Sequence, residues 1–201
     1  MTPAPSTPPP ARTDAPERLA RAAVEAFSAK GFHGTTTRDI AAAAGMSPAA
    51  LYVHHRSKEE LLHLLSAEGH ARSLAIVRGA VAAGGSPVEQ LARLVEDFVR
   101  HHAVEHTSAR VVNYELAALA PDHLTEILAV RKEIEEEVVA LLERGVASGG
   151  FATPSPRMTA AAVLSLGIDV ARWFRSGQGW SPDDVAAHYR LLVLRMVGAA
   201  E

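Results

Sequence analysis

The chain has 201 residues, of which 48% are hydrophobic and 21% are charged, and its formal net charge is −3. This composition is typical of a globular protein that can bury a core. The absence of cysteine excludes disulfides and thiolate metal sites and fits a reducing compartment. Neither a secretory signal nor an apolar run of about 18 residues is evident, so we expect a cytoplasmic protein without a membrane span.

Residues 1–13 are rich in Pro, Thr and Ala and lack periodicity, which predicts a disordered arm. Whether this arm has a binding role stays open. A first helix is predicted from Asp14, with Glu17 as capping partner, to Gly31. Beyond Pro16 every proline falls at a predicted break, so no periodic segment is interrupted and each can be a helix.

Residues 35–58 contain the start and stop signals of two short helices. Thr36 is the predicted N-cap of the first, and Asp39 is the acidic partner of a capping box. Gly45 ends that helix because glycine readily adopts positive φ. The pair Ser47–Pro48 then opens a second helix, with serine as N-cap and proline at the first position. Two short helices around a glycine-containing turn predict a helix-turn-helix unit.

Several side chains of this unit are suited to contacting DNA. Small residues at the start of the second helix let its backbone approach the groove floor, and an alanine methyl can contact a thymine methyl. Hydroxyls and helix N-termini suit phosphates. The predicted DNA-binding residues are Thr35, Thr36, Thr37, Arg38, Ser47, Pro48, Ala49, Ala50, Tyr52, His54, His55 and Lys58.

This segment resembles the N-terminal DNA-binding domain of the TetR family of bacterial transcriptional regulators. The matching positions are Gly31–Phe32, Thr35–Thr36, Arg38–Ala41, Ala44–Gly45, Ser47, Leu51–Tyr52, His54 and Ser57–Leu61. The sequence departs from the family at His55, where phenylalanine is usual, and at Ala49–Ala50, which replaces a glycine-containing pair. The resemblance implies a regulator that binds a double-stranded DNA operator, with residues 14–60 as its DNA-binding domain.

The rest of the chain predicts further helices, giving an all-α fold of about nine helices with residues 61–201 as a ligand-binding and dimerisation domain. One long helix from Asp122 presents Arg131 to Glu137 as a largely solvated face. The last two helices, opened by Ser155–Pro156 and Ser181–Pro182, are apolar over more than one stripe. This excess predicts a homodimer formed through these helices.

A second set of positions lies between residues 107 and 193: Asn113, Glu115–Leu116, Leu119, Pro121, Arg131, Gly145, Gly149, Phe151, Leu166–Gly167, Trp173–Phe174, Ser181–Asp183 and Tyr189. On these positions the segment resembles, more weakly, the ligand-binding half of TetR-type regulators that respond to acyl-CoA thioesters. The resemblance implies a small-molecule effector, with an acyl-CoA as one candidate. Asp169 departs from the asparagine that this branch tends to carry. The residues expected to line an apolar pocket are Asn113, Tyr114, Asp169 and Trp173.

His102, Glu105 and His106 fit the H-x-x-E-H pattern of some zinc peptidases. Two histidines spaced i, i+4 on one helix share a face, as zinc ligands require. No third ligand is evident, so a zinc hydrolase is the weaker alternative. A second alternative is a DNA-binding regulator controlled by a protein partner. The sequence therefore predicts a ligand-responsive repressor without enzymatic activity, cofactor or metal.

Overall fold

The computed structural model describes residues 14–177 and 179–199, so the predicted arm at residues 1–13 lies outside the described part. Within the described residues the fold is all-α, as predicted, with nine α-helices and one 3-10 turn at Leu116–Ala118. No described helix is both long and apolar enough to cross a membrane. The helices are α1 (Ala15–Gly34), α2 (Thr37–Ala43), α3 (Pro48–His54), α4 (Lys58–Ala82), α5 (Pro87–Val104), α6 (His106–Tyr114), α7 (Pro121–Ala147), α8 (Pro156–Trp173) and α9 (Pro182–Met196).

Side-chain caps begin most of these helices where the sequence predicts them. Ser86 and Ser181 each form a complete capping box, with Glu89 and Asp184 respectively. One stated boundary differs from the prediction. Helix α1 extends beyond Gly31, which interrupts it with a φ of 71°.

Helices α1 to α3 pack with the start of α4 around one apolar core, which α6 and α7 close from the other side. The predicted domain boundary at residue 60 falls within α4, and apolar packing continues across it. The DNA-binding head (residues 14–60) is therefore in direct contact with the helices that follow. Representative core residues are Leu19, Phe27, Ile40, Leu51, Leu61, Val111, Leu119 and Ile127.

A second core forms where α5 packs against α4, α7, α8 and α9. Gly167 lets α8 lie close to α5, because a Cβ there would lie 2.7 Å from Cδ1 of Phe98. In α9 Val193 is buried in this core, whereas Leu192 is exposed. Leu166 and Met196 are also exposed, so α8 and α9 carry apolar side chains on their outer surface.

Candidate nucleic-acid interface and effector cavity

The helix-turn-helix unit has the local geometry that its sequence predicts. Thr36 Oγ1 accepts from the Asp39 N–H at 3.2 Å, and Asp39 Oδ2 accepts from the Thr36 N–H at 2.8 Å. The hydrogen bonds from Thr36 hold the pKa of Asp39 well below its usual range. Gly45 has a φ of 66°, and Ser47 Oγ caps α3 through the Ala50 N–H at 3.1 Å. Turn and caps together fix the position of α3 relative to α2.

Helix α3 is anchored on one face and open on the other. Leu51 is fully buried, whereas Tyr52 is 55% exposed. The Tyr52 hydroxyl lies 3.2 Å from Thr37 Oγ1, so the start of α2 contacts the second half of α3 at the surface. The other exposed residues among those predicted to bind DNA are Thr36, Arg38, Ser47, Pro48, Ala49 and His54, while Thr37 and Ala50 are half-buried.

Three of the residues predicted to contact DNA make contacts within the fold instead of facing the open side of α3. Thr35 is buried, and its hydroxyl donates to the carbonyls of Ala26 at 3.0 Å and Gly31 at 2.8 Å. The Lys58 Nζ donates to the carbonyls of Phe32 at 2.7 Å and of Thr35 at 2.8 Å, and lies 4.2 Å from the Phe32 ring centroid. The prediction of an exposed cation at Lys58 is therefore wrong, because its charge ties α4 to the end of α1.

His55 is the third correction. It is buried, and neither ring nitrogen has a hydrogen-bond partner among the described residues. Burial lowers the pKa of His55, which favours the neutral ring. The side chain therefore fills the apolar position beneath α3 that an aromatic residue would otherwise occupy, and it does not reach the exposed face.

Two exposed residues near α3 were missed in the sequence analysis. Val53 is 79% exposed on α3, and Arg56 is an exposed cation in the turn that follows. An exposed apolar side chain next to small residues suits contact with thymine methyls. The position of Arg56 just after α3 is the signal that identifies it, because a cation there suits a phosphate.

Behind the head, α4 to α8 line a half-open cavity of about 170 Å³. Of the four residues predicted to line a pocket, only Asn113 lies at this cavity. A neighbouring cavity of about 160 Å³ shares four wall residues with it. The shared residues are His70, Ser73, His102 and Asn113.

The other three predicted pocket residues lie elsewhere. Tyr114 is exposed, and its hydroxyl donates to Asp169 Oδ1 at 3.2 Å. Asp169 also pairs with Arg172 at 2.6 Å, and the hydrogen bond from Arg172 lowers the pKa of its half-buried carboxyl. Trp173 borders a separate surface cavity of about 370 Å³ together with Trp180. The prediction of a single pocket shared with Asn113 is wrong because these side chains leave α6 and α8 in other directions.

The cavity instead contains polar residues that the sequence analysis missed. Arg131, expected on the solvated face of α7, turns inward and donates through Nη1 to His70 Nε2 and Asn113 Oδ1, both at 3.1 Å. Burial lowers the pKa of Arg131. His102 is 1% exposed, and its Nδ1 lies 2.8 Å from the Phe98 carbonyl. Burial lowers the pKa of His102 to about 4.

The zinc-peptidase pattern does not form a site. His102 lies in α5, which ends at Val104, and His106 begins α6 after a break at Glu105. The two histidines therefore do not share one helical face, and the predicted i, i+4 geometry is wrong. Over residues 14–177 and 179–199, no three His, Asp or Glu side chains are grouped to hold a metal ion.

A capped helix pair with an exposed second helix, packed on an all-helical domain with an internal cavity, defines a helix-turn-helix DNA-binding regulator. Residues 19–65 match the profile "Bacterial regulatory proteins, tetR family", and residues 84–197 match "Tetracyclin repressor-like, C-terminal domain". The chain belongs to the TetR family of bacterial transcriptional regulators.

Similar proteins support this assignment over nearly the whole chain. The HTH-type transcriptional repressor KstR2 of Mycolicibacterium smegmatis is 30% identical over 200 residues, which are 95% of this chain and 94% of that protein. A solved tetR-family regulatory protein from Rhodococcus RHA1 is 40% identical, with a TM-score of 0.88, over 94% of this chain and all of that one. The structure of AibR in complex with isovaleryl coenzyme A and operator DNA has a TM-score of 0.82 at 20% identity, covering 93% and 100% of the two chains.

Proposed function

We propose that this chain is a cytoplasmic, homodimeric repressor that a small amphipathic effector releases from a palindromic operator. The observation that carries the proposal is the geometry of α3, whose buried Leu51 leaves the opposite face open. A helix anchored in this way can lie in the major groove with its N-terminal residues at the base edges. Thr36, Thr37 and Arg38, at the start of α2, are then positioned for phosphate contacts.

The outer surfaces of α8 and α9 support the dimer. Leu166, Leu192 and Met196 are each more than 40% exposed although they are large and apolar. Pairing of the two helices with their copies in a second subunit removes this surface from water in an isologous interface. Two subunits present two α3 helices, which matches an operator with two half-sites.

The internal cavity supports control by a small molecule. Its apolar wall and few convergent polar groups are typical of an effector site. A regulator controlled by a protein partner alone has no need of such a cavity. Acyl-CoA thioesters are the first class to test, since AibR, a protein of the same fold, has been solved with isovaleryl coenzyme A and operator DNA.

Contacts between the head and α7 provide a route for control. Glu59, in the first turn of α4, accepts from the Ala120 N–H and lies against His123 Nδ1, both at 2.8 Å. The ring of His123 stacks on His63 with centroids 3.7 Å apart. A movement of α7 relative to α4 therefore changes the position of the head. An effector releases DNA only if it binds the DNA-incompetent arrangement more tightly.

Selection of bound sequences from random duplexes tests the proposal. The expected result is a palindromic site with half-sites about one helical turn apart, or a multiple of it. A panel of acyl-CoA thioesters is then titrated against the complex of the protein with the selected duplex. Because linkage is reciprocal, an effector that weakens operator binding must itself bind less tightly in the presence of operator. Selection without any enriched sequence would contradict the DNA-binding role.

A further inference from the structure

Arg131 is a half-buried cation in the cavity wall, and the two side chains that it contacts are neutral. Its Nη1 donates to His70 Nε2 and to Asn113 Oδ1, both at 3.1 Å. In the part of the chain that the structure describes, no carboxylate forms an ion pair with it. Partial burial of a charge without a counter-ion has a desolvation cost, which an anionic ligand would offset.

The two neutral contacts are fixed by the backbone. His70 Nδ1 lies 2.8 Å from the Ser66 carbonyl, which can only accept, so Nδ1 carries the proton and Nε2 presents a lone pair. Asn113 Nδ2 donates to the Ala109 carbonyl at 2.9 Å, which turns Oδ1 toward Arg131. These contacts occupy Nη1 alone. The guanidinium has five N–H donors, and those of Nε and Nη2 have no partner among the described residues, so a ligand can accept from them.

Among the residues that the structure describes, the rest of the cavity wall contains no second cation that competes for an anion. His102 Nε2 has no hydrogen-bond partner within the same residues, and the low pKa of His102, about 4, keeps its ring neutral at physiological pH. Glu135 also borders the cavity, but it pairs with Arg157 at 3.3 Å. The apolar part of the wall comes from Phe98, Ile134, Leu164 and Ile168.

We infer that the cavity binds a compact organic acid, with its carboxylate on Arg131 and its apolar body against Phe98 and Ile134. This inference rests on the proposed function, because it takes the cavity as the effector site and names the effector's chemical class. A cavity of about 150 Å³ admits benzene, and this half-open cavity, taken without the neighbouring one of about 160 Å³ that shares four of its wall residues, is of similar size, at about 170 Å³. The apolar body therefore has about six carbon atoms, since sites for larger ligands are roughly 300–1,000 Å³.

Calorimetric titration of the full chain, without DNA, tests the inference by varying both the ligand and the Arg131 side chain. Benzoate is compared with methyl benzoate and benzyl alcohol, and 3-methylbutanoate with isovaleryl-CoA, so that a free acid is distinguished from a thioester. The acids should bind about ten- to a hundredfold more tightly than the neutral compounds, because a charge-assisted hydrogen bond is lost in the latter. Arg131→Gln should remove this preference, and Arg131→Lys should retain part of it.

Lys132→Gln is the matched control, because it removes the neighbouring positive charge of α7, which is exposed and lies outside the cavity. It should keep the preference for acids. Four results would each overturn the inference. The acid and the ester bind equally, the thioester binds more tightly than the acid, no acid binds at all, or Arg131→Gln keeps the preference for acids. The comparison of acid with ester on the wild-type chain needs no variant, so it stands even if Arg131→Gln does not fold. Enrichment of an operator in the selection experiment is independent of all these outcomes.

Discussion

Acidification should weaken the C-terminal core through His102, which is buried in α5 beside the cavity. Its pKa falls from 6.5 to about 4 in the folded chain because burial disfavours the charged ring. Between these values the unfolded chain binds a proton that the folded chain does not. His102 therefore does not reduce the free energy of unfolding above pH 6.5, the pKa of its ring in the unfolded chain. The free energy of unfolding decreases as the pH falls from that value toward the folded pKa.

The magnitude follows from the two pKa values. Lowering the pH from about 7.5 to about 5 should remove about 2 kcal/mol of the free energy of unfolding through this residue alone. Burial also lowers the pKa of His55, His70 and His101, whereas the hydrogen bond with Glu59 raises the pKa of His123, so the pH dependence of the wild-type chain sums opposing contributions. The contribution of His102 is isolated by comparison with His102→Leu, whose side chain does not titrate.

Urea unfolding followed by helical circular dichroism at both pH values measures the difference. Protein concentration must be held constant, because the stability of a dimer depends on it. The wild-type chain should lose about 2 kcal/mol more than His102→Leu between the two pH values. Equal losses in both proteins would show that His102 does not carry the pH dependence, and the argument from its burial would fail.

Two further predictions concern Lys58 and the outer face of α9. Lys58→Met should lower the free energy of unfolding by about 1–2 kcal/mol, after allowance for partial exposure, because the carbonyls of Phe32 and Thr35 lose a charged donor. Thermal unfolding measures this loss of stability. An unchanged midpoint would show that the contacts of Lys58 with the two carbonyls do not stabilise the fold. Leu192→Glu should give a folded monomer in sedimentation, whereas Val193→Glu should unfold the chain because Val193 is 1% exposed. A dimer that survives Leu192→Glu would place the interface elsewhere.

Much of the fold could be predicted from the sequence because helix ends carry local chemistry. A serine or threonine followed three residues later by an acid, or directly by proline, marks a helix start without reference to the rest of the chain. The capping box predicted at Thr36 and the helix starts predicted at Ser155–Pro156 and Ser181–Pro182 are present in the structure. The break at Glu105 has no such signal, and the interpretation of His102 and His106 as one helical face failed there.

The candidate sites were less predictable because side-chain direction depends on tertiary packing. Arg131 lies in a run of charges that reads as a solvated face, yet the residue turns inward to His70, which is 61 positions away. Thr35 and Lys58 match family positions, but the sequence pattern does not reveal that their side chains donate hydrogen bonds to backbone carbonyls. Asn113 was placed correctly at the cavity, whereas Tyr114, its neighbour in the chain, points outward.

The affinity ratio between the selected operator and a random duplex of the same length tests the central claim most directly. It is measured at constant salt for the wild-type chain, for Tyr52→Ala and for Tyr52→Phe. The wild-type ratio should be at least about 10³, as is typical of specific DNA recognition. Tyr52→Ala should lower operator binding at least about tenfold without changing the thermal midpoint, because the side chain is exposed on α3. A wild-type ratio near unity, or operator binding that is unchanged in Tyr52→Ala, would contradict the assignment of α3 as the element that reads DNA.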